Sequence, residues 1–593
     1  MKPLRARRPR VAVLFVVGIL FSGVGLAAAT PSAEDKAAHA LNRLGYGPRP
    51  GEIELVAKLG VENWIRGQLA PEEIADPAAN AAVAELDKLK LPRADLVEAY
   101  QTEIRERNAL QKARAAGDTA KVSEMRAEMR EGEQLVVAQA LGELQHAKLA
   151  RAVLSERQLE QVLVDFWFNH FNVDARKQQV RATVVSYEQD VIRPHVFGNF
   201  RDLLGATAKS AAMLVYLDNF RSSKTYELSP AEQKVADRIR RAVQGDDGDT
   251  TDADKMTAEA AAVPAVQTKR GLNENYGREL LELHTLGVNG GYTQQDVQNV
   301  ARALTGWTIN PRTGAFTYRD RWHDDGAKKI LGTEFPSGGG QAEGEKVLDM
   351  LAAHPATAKR LATLLCQRFV ADEPPARLVE RVAAAYLKSK GDLRATYEAL
   401  FLAPEFFAPE FLRAKTKSPF EFAASALRAS GADFVDVTNF SRRVPVRALE
   451  AGATLGRGER ALQQSRKTVM LHLVEMGQAP YAWGPPTGFP EDSTHWVSAG
   501  ALVSRLNFAL ALTGGQVADA RVDARALVAG ANPDRPEEVV DALAAKVLGA
   551  PTSATTRRVL LEQAAPAKDG ATGVPDVPKL LALMLGSPEF QRR

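Results

Sequence analysis

Apolar residues recur at helical rather than alternating spacing along almost the whole chain, and the pattern predicts a mainly α, multi-helical protein. DKAAHALNRLGYGPRPGEIELVAKLG reads as two helices parted by Gly45-Tyr46-Gly47-Pro48, with glycine stopping one helix and proline opening the connection to the next. From Asn80 to Val173 the helical pattern is nearly continuous. It is charged between Tyr100 and Glu133 and apolar from Leu135, which predicts a long helical hairpin turning at Ala116-Gly117-Asp118. It ends in FWFNHFNVD, where Phe166, Trp167, Phe168 and Phe171 surround Asn169, His170 and Asn172.

A helical pair follows over 180–220, broken at Phe197-Gly198-Asn199-Phe200 and closed by Asp218-Asn219. A carboxylate at a helix C-terminus opposes the dipole, so Asp218 is expected to have a specific partner. Residues 221–269 are acidic, polar and poor in large apolar side chains, as expected of a disordered insertion with one short helix. They lack the twelve-position ligand pattern of a calcium loop.

The densest chemistry lies in NENYGRELLELHTLGVNGGYTQQDVQNVARALTGW, Asn273 to Trp307. At about 100° per residue, Tyr276, Leu280, Leu281 and Leu283 fall on one side and Glu274, Asn275, Arg278, Glu279 and Glu282 opposite. His284 and Asn273 point inward. Glycines end this helix, and Thr293-x-x-Asp296 opens the next as a capping box. AFTYRDRWHDDGAKKILGTEF then alternates as a β-hairpin near 315–335 with Asp325-Gly326 as its turn, putting His323 and Asp324 at the bend.

Helices resume at 343. The ending YEALFLAPEFF recurs as LLALMLGSPEFQ, which predicts two related helical units, 343–410 and 520–593, after an N-terminal helical domain over 30–342. Between the units lies an irregular stretch near 430–470 and a Pro/Gly-rich run from Gly477 to Pro490, with Tyr481, Trp483, Phe489 and Trp496 placed to cover the helical core or to wall a pocket.

Composition changes this picture at the N-terminus. Lys2, Arg5, Arg7, Arg8 and Arg10, the apolar Val11 to Leu26 and Ala27-Ala28-Ala29 form a signal peptide over residues 1–29. Its loss takes the formal charge from +3 to −2, so the basic balance gives no support for nucleic-acid binding. The mature chain is expected in the periplasm or outside the cell, with membrane contact only through the leader. Cys366 is the sole cysteine, which excludes an intramolecular disulfide and a thiolate zinc cluster; on an apolar helical face it reads as a buried, inert thiol. His39, beside Ala40 and Leu41, reads as a core histidine.

The candidate catalytic groups are His170, Glu279 and His284, and the candidate binding groups are Asn169, Asn172, Asp218, Asn219, Asn273, Asn275 and Arg278. His323 and Asp324 are the candidate metal ligands. Oxygen and imidazole donors without thiolates suit a divalent ion or, equally, general acid–base chemistry.

LNRLGYGP, FWFNHFNV, YLDN, NENYGRELLELHTLGVNGGYTQQDV, ARALTGW, HDDGAKKILG, HPATAKRLA, KSPFEF, MGQAPY with PPTGFP, and the closing SPEF together resemble the bacterial domain-of-unknown-function 1800 family over about 36–592. The resemblance implies an exported bacterial protein whose gene often neighbours that of an exported, sulfatase-like family, and hence an exported partner. It implies no reaction. The chain departs from the family pattern in the long insertion between Asp218-Asn219 and Asn273-Glu274, which should loop out without separating those motifs. Two function classes follow: a helical scaffold or binding module working with an exported partner, in which the polar motifs fix helix register, and a periplasmic or secreted hydrolase-like enzyme that uses the His/Asp/Glu/Asn set with or without a divalent metal.

Overall fold

The computed structural model describes residues 30–131, 136–224, 271–434, 467–564 and 575–593. The leader, nearly all of the insertion 221–269 and most of the stretch near 430–470 lie outside the described residues.

The protein is mainly α-helical, and among the described residues the strands form only short antiparallel pairs. Helices Arg93–Ala115 and Thr119–Glu131 form the charged hairpin, turning where Gly117 takes a φ of 73°. The apolar helices Val136–Leu154 and Gln158–His170 enter the core, where Trp167 donates its indole N–H to Tyr397 Oη at 2.6 Å. One continuous hydrophobic cluster runs from Leu44 to Phe590 and includes the helices on both sides of residue 343. Cys366 is buried in it, and burial pushes its thiol up to about 12, so it stays protonated and unreactive.

The strands differ from the expected single hairpin. Trp307–Ile309 pairs with Phe316–Tyr318, and Lys328–Ile330 pairs with Thr333–Phe335. The second turn is Leu331-Gly332, both at positive φ (48° and 81°), as a two-residue hairpin turn requires. Asp325-Gly326 lies in the loop between the hairpins. Its turn chemistry is real but local, because the Gly326 N–H donates to Asp324 Oδ1 at 3.0 Å.

The helix over the central motif also departs from the ideal. It is α-helical over Asn275–Glu279 and π-helical over Leu280–Thr285, and a second π segment, Tyr187–Ile192, continues the helix Val180–Ser186. Such segments shift the facing of every later side chain. Asn273 does not lie on a helix face because the helix starts at Asn275; it is partly buried and accepts the Asn275 N–H on its Oδ1 at 2.9 Å. The next helix, Gln294–Ala303, carries the expected Thr293/Asp296 capping box. Gly277 lets the two helices touch: a Cβ there would stand 2.9 Å from both Ala301 N and Val297 O.

Candidate functional site

The polar side chains of the FNHFN motif, at the end of helix Gln158–His170, reach toward two partner segments. Asn169 and Asn172 both grip the Pro/Gly-rich loop. The Asn169 amide donates to the Phe489 carbonyl at 2.9 Å while its Oδ1 accepts the Phe489 N–H at 2.7 Å. Asn172 donates to the carbonyls of Trp483 and Pro485 at 3.0 and 2.8 Å. The hold is reinforced by Tyr216 Oη on Gly484 O, Gln145 on Pro480 O at 3.0 Å and the Ala175 N–H on Tyr481 O at 2.8 Å. At Gly488, with φ 72°, a Cβ would fall 2.3 Å from Asn169 O, so only glycine allows this approach.

His170 turns the other way. Its Nε2 lies 3.1 Å from the His284 carbonyl oxygen, and the two rings are 6.3 Å apart between centroids. Burial, with Arg360 nearby, lowers His170 to about 3 and holds His284 well below its ordinary value, so both imidazoles are neutral. His284 is 1% exposed, with neither ring nitrogen hydrogen-bonded. Glu279 has different charged neighbours. Burial raises its carboxyl, Glu282 raises it further and Arg278 opposes, whereas Arg360 is the nearby side-chain cation for the histidines.

The remaining motif residues tie segments together. Asp218, at φ 61°, finds its partner in Lys177 at 2.9 Å. Asn219 is buried and donates to the carbonyls of Leu304 and Trp307 at 3.2 and 3.0 Å, and Asn275 donates to Leu217 O at 3.4 Å. Arg278 donates to Gln294 at 3.0 Å, with Glu274 3.6 Å away. The flanks of the insertion meet as expected: Asn273 N–H donates to Ser222 Oγ at 3.1 Å and Ser223 N–H to Gly271 O at 3.2 Å. FNHFN, YLDN and the central helix pair thus converge in space.

His323 and Asp324 are each engaged by neighbouring protein groups. His323 Nδ1 lies 2.9 Å from Thr305 O, and its Nε2 faces Glu343 at 3.3 Å, but Lys328 Nζ already stands 2.6 Å from that carboxylate, where a cation would sit. Asp324 is held by Arg302 through two bonds of 2.9 Å, which lower its carboxyl. Among the described residues there is no group of three or more His, Cys, Asp or Glu that could hold a metal ion.

The site the sequence reasoning missed lies on the opposite side of Asn169. A cleft of about 370 Å³, continuous with solvent, is lined by Asp165, Asn169, Arg368, Glu421, Glu491 and Arg593, with Phe489 and Trp496 at its edge. Arg368 binds Glu421 at 2.9 Å, Glu491 at 3.1 Å and Asp165 at 3.4 Å. Arg593 shares the same Glu421 oxygen at 3.0 Å. Lys148 pairs with Asp165 at 2.6 Å, and Lys415 bonds Asp372 and the Glu491 carbonyl. Burial alone would raise Glu421, but Arg368 and Arg593 bring it down to about 2, so it is fully ionised. The signal for this site was a single charge inside an apolar run: Asp165 in VLVDFWF, Arg368 in LLCQRFV and Glu421 in SPFEFAA.

A second cleft, of about 350 Å³, adjoins the first through Asp165, Asn169, Gln478 and Phe489, and it is walled by Phe168, Phe420 and Tyr481. Lys148 lies over the rings of Phe420 and Tyr481.

No curated protein and no solved structure matches the chain. The family model of DUF1800, proteins of unknown function, matches residues 39–592. The motifs that converge here are therefore spread over a single family unit, and the chain belongs to the DUF1800 family.

Proposed function

We propose that this is an exported helical binding module that acts with an exported partner. The leader 1–29 supports export, and the carrying observation for a binding rather than catalytic role is what the polar motifs do. Asn169, Asn172, Asn219 and Asn275 donate to backbone carbonyls of other segments, and Asp218 is closed by Lys177. Groups committed in this way set helix and loop register and are not free for a substrate. What they build is the charged cleft, where the loop 478–496 meets the helices carrying Asp165, Arg368 and Glu421.

The test is expression of the tagged full chain in its native host, with N-terminal sequencing and affinity purification. A mature chain beginning near Thr30 and a stoichiometric exported partner are expected. A chain retained in the cytoplasm and eluting alone would overturn the reading.

The hydrolase-like alternative has one observation in its favour: the Glu279 carboxyl is held above its ordinary range by burial and by Glu282, as acid–base groups are. Hydrolysis by the purified chain that is lost in Glu279→Gln, with the melting temperature unchanged, would favour it.

A further inference from the structure

Three buried side chains meet outside both clefts: Lys328 at the start of strand Lys328–Ile330, Glu343 in the first turn of helix Ala342–Ala352, and His323 in the loop between the hairpins. Lys328 Nζ donates to the carbonyls of Asp324 and Gly326, the second at 2.9 Å. A neutral amine has two N–H groups, so these two acceptors take both and leave the nitrogen lone pair. Glu343 Oε2 lies 2.6 Å away, yet neither oxygen of Glu343 has a hydrogen-bond partner. The nitrogen thus stands against the carboxyl group without the alignment of an N–H···O bond, which a buried Lys–Glu pair held as ions needs to offset its desolvation.

His323 supplies a third part. Its Nδ1 lies 2.9 Å from the Thr305 carbonyl, which makes Nδ1 the protonated nitrogen and turns the Nε2 lone pair toward Glu343 Oε2 at 3.3 Å. Nε2 also has no hydrogen bond. Glycines make room for the group: at Gly339 a Cβ would stand 2.6 Å from Glu343 Cγ, and at Gly344 one would stand 2.4 Å from the Trp307 ring.

We propose that Lys328 and Glu343 are joined by an isopeptide bond, formed inside the folded chain with His323 as proton carrier. From the neutral amine and acid, Nζ bonds to Glu343 Cδ, and the proton it sheds passes through His323 Nε2 to Oε2. The Cδ–Oε2 bond then breaks, and Oε2 leaves as water with that proton and the acid's own. Amine and carboxylic acid become amide and water, with no oxidant, reductant or cofactor. Burial favours the product, because an amide replaces two charges that are costly to keep out of water. The bond closes a covalent ring from strand to helix in a chain whose sole cysteine allows no intramolecular disulfide. It is independent of the binding-module reading, and either can fail alone.

The experiment is mass spectrometry of a complete tryptic digest of the purified full chain. Trypsin does not cut after an acylated lysine. The expected product is therefore residues 322–329 joined to residues 330–346, lighter by one water than the two peptides together, with fragments that place the link on Lys328 and Glu343. Lys328→Arg keeps the charge but has no amine to acylate, and should release the two peptides separately; Lys328→Met serves if that variant does not fold. His323→Gln should slow joining by about a hundredfold or more, so that freshly made protein is largely unjoined. Separate peptides in the parent, or a link on Lys329, overturn the bond whatever the variants do. A His323→Gln chain joined as fully and as fast as the parent overturns the role of His323.

Discussion

A single carboxylate oxygen of Glu421 receives the guanidinium groups of both Arg368 and Arg593, at 2.9 and 3.0 Å, and so joins the helix Pro355–Phe369 to the C-terminal segment. Removing that charge takes the carboxylate from Arg593 and leaves Arg368 with Glu491 and Asp165 alone. Glu421→Gln should cost about 3–5 kcal/mol, read as a lower midpoint in urea unfolding. The pH dependence follows from the shift. The folded value of about 2 lies below the ordinary 4.5, so this stabilisation is complete above about pH 4.5 and is lost as pH falls toward 2. The variant should therefore melt much lower than the parent at pH 7, with the gap closing in acid.

Lys417 titrates in the opposite sense. It is buried, donates to Ser425 Oγ at 2.8 Å and lies 3.9 Å from the Phe590 ring centroid, and burial lowers it to about 7 from 10.5. The unfolded chain holds this proton more tightly than the folded one. Stability thus falls as pH drops below 10.5 and levels off below about 7. Lys417→Met, close in shape, should raise the melting temperature at pH 7 by several degrees, and the advantage should vanish above pH 10.5. Thermal melts at both pH values check this.

The helix crossing in the central motif depends on Gly277. A methyl group there would press on Ala301 N and Val297 O at 2.9 Å, both of them backbone atoms that cannot rotate away. Gly277→Ala should destabilise by about 1–3 kcal/mol in chemical denaturation, even though alanine is the better helix former.

These residues also show where the sequence was readable. The Thr293/Asp296 capping box and the glycine turn at 117 are local, and residues three or four apart announce them. The helical class and the buried Cys366 follow from periodicity. The hairpin turn was misplaced because Asp-Gly is the usual turn pair, whereas Leu331 takes positive φ only because flanking strand pairing holds it there. The lone charges of the cleft show in the sequence but their pairing does not: Arg368 meets Glu491 across 123 residues and Asp165 across 203, and no pattern within one helix encodes such a partner. Among the expected site residues, Asn169 alone lines the cleft; the half-buried His170 and the buried His284 form a neutral pair elsewhere, and His323 and Asp324 are paired with their own neighbours.

The most direct test of the account is the thermal melt of the full chain carrying Asn169→Ala or Asn172→Ala. Each substitution leaves loop groups of residues 483–489 without their amide partner, which costs about 1–3 kcal/mol, and roughly 2–4 °C per kcal/mol is expected for a large chain. A melting temperature lowered by several degrees in both variants is the predicted result. Melts that superimpose on the parent would show that these amides do not hold the loop, and would contradict the architectural role of the FNHFN motif.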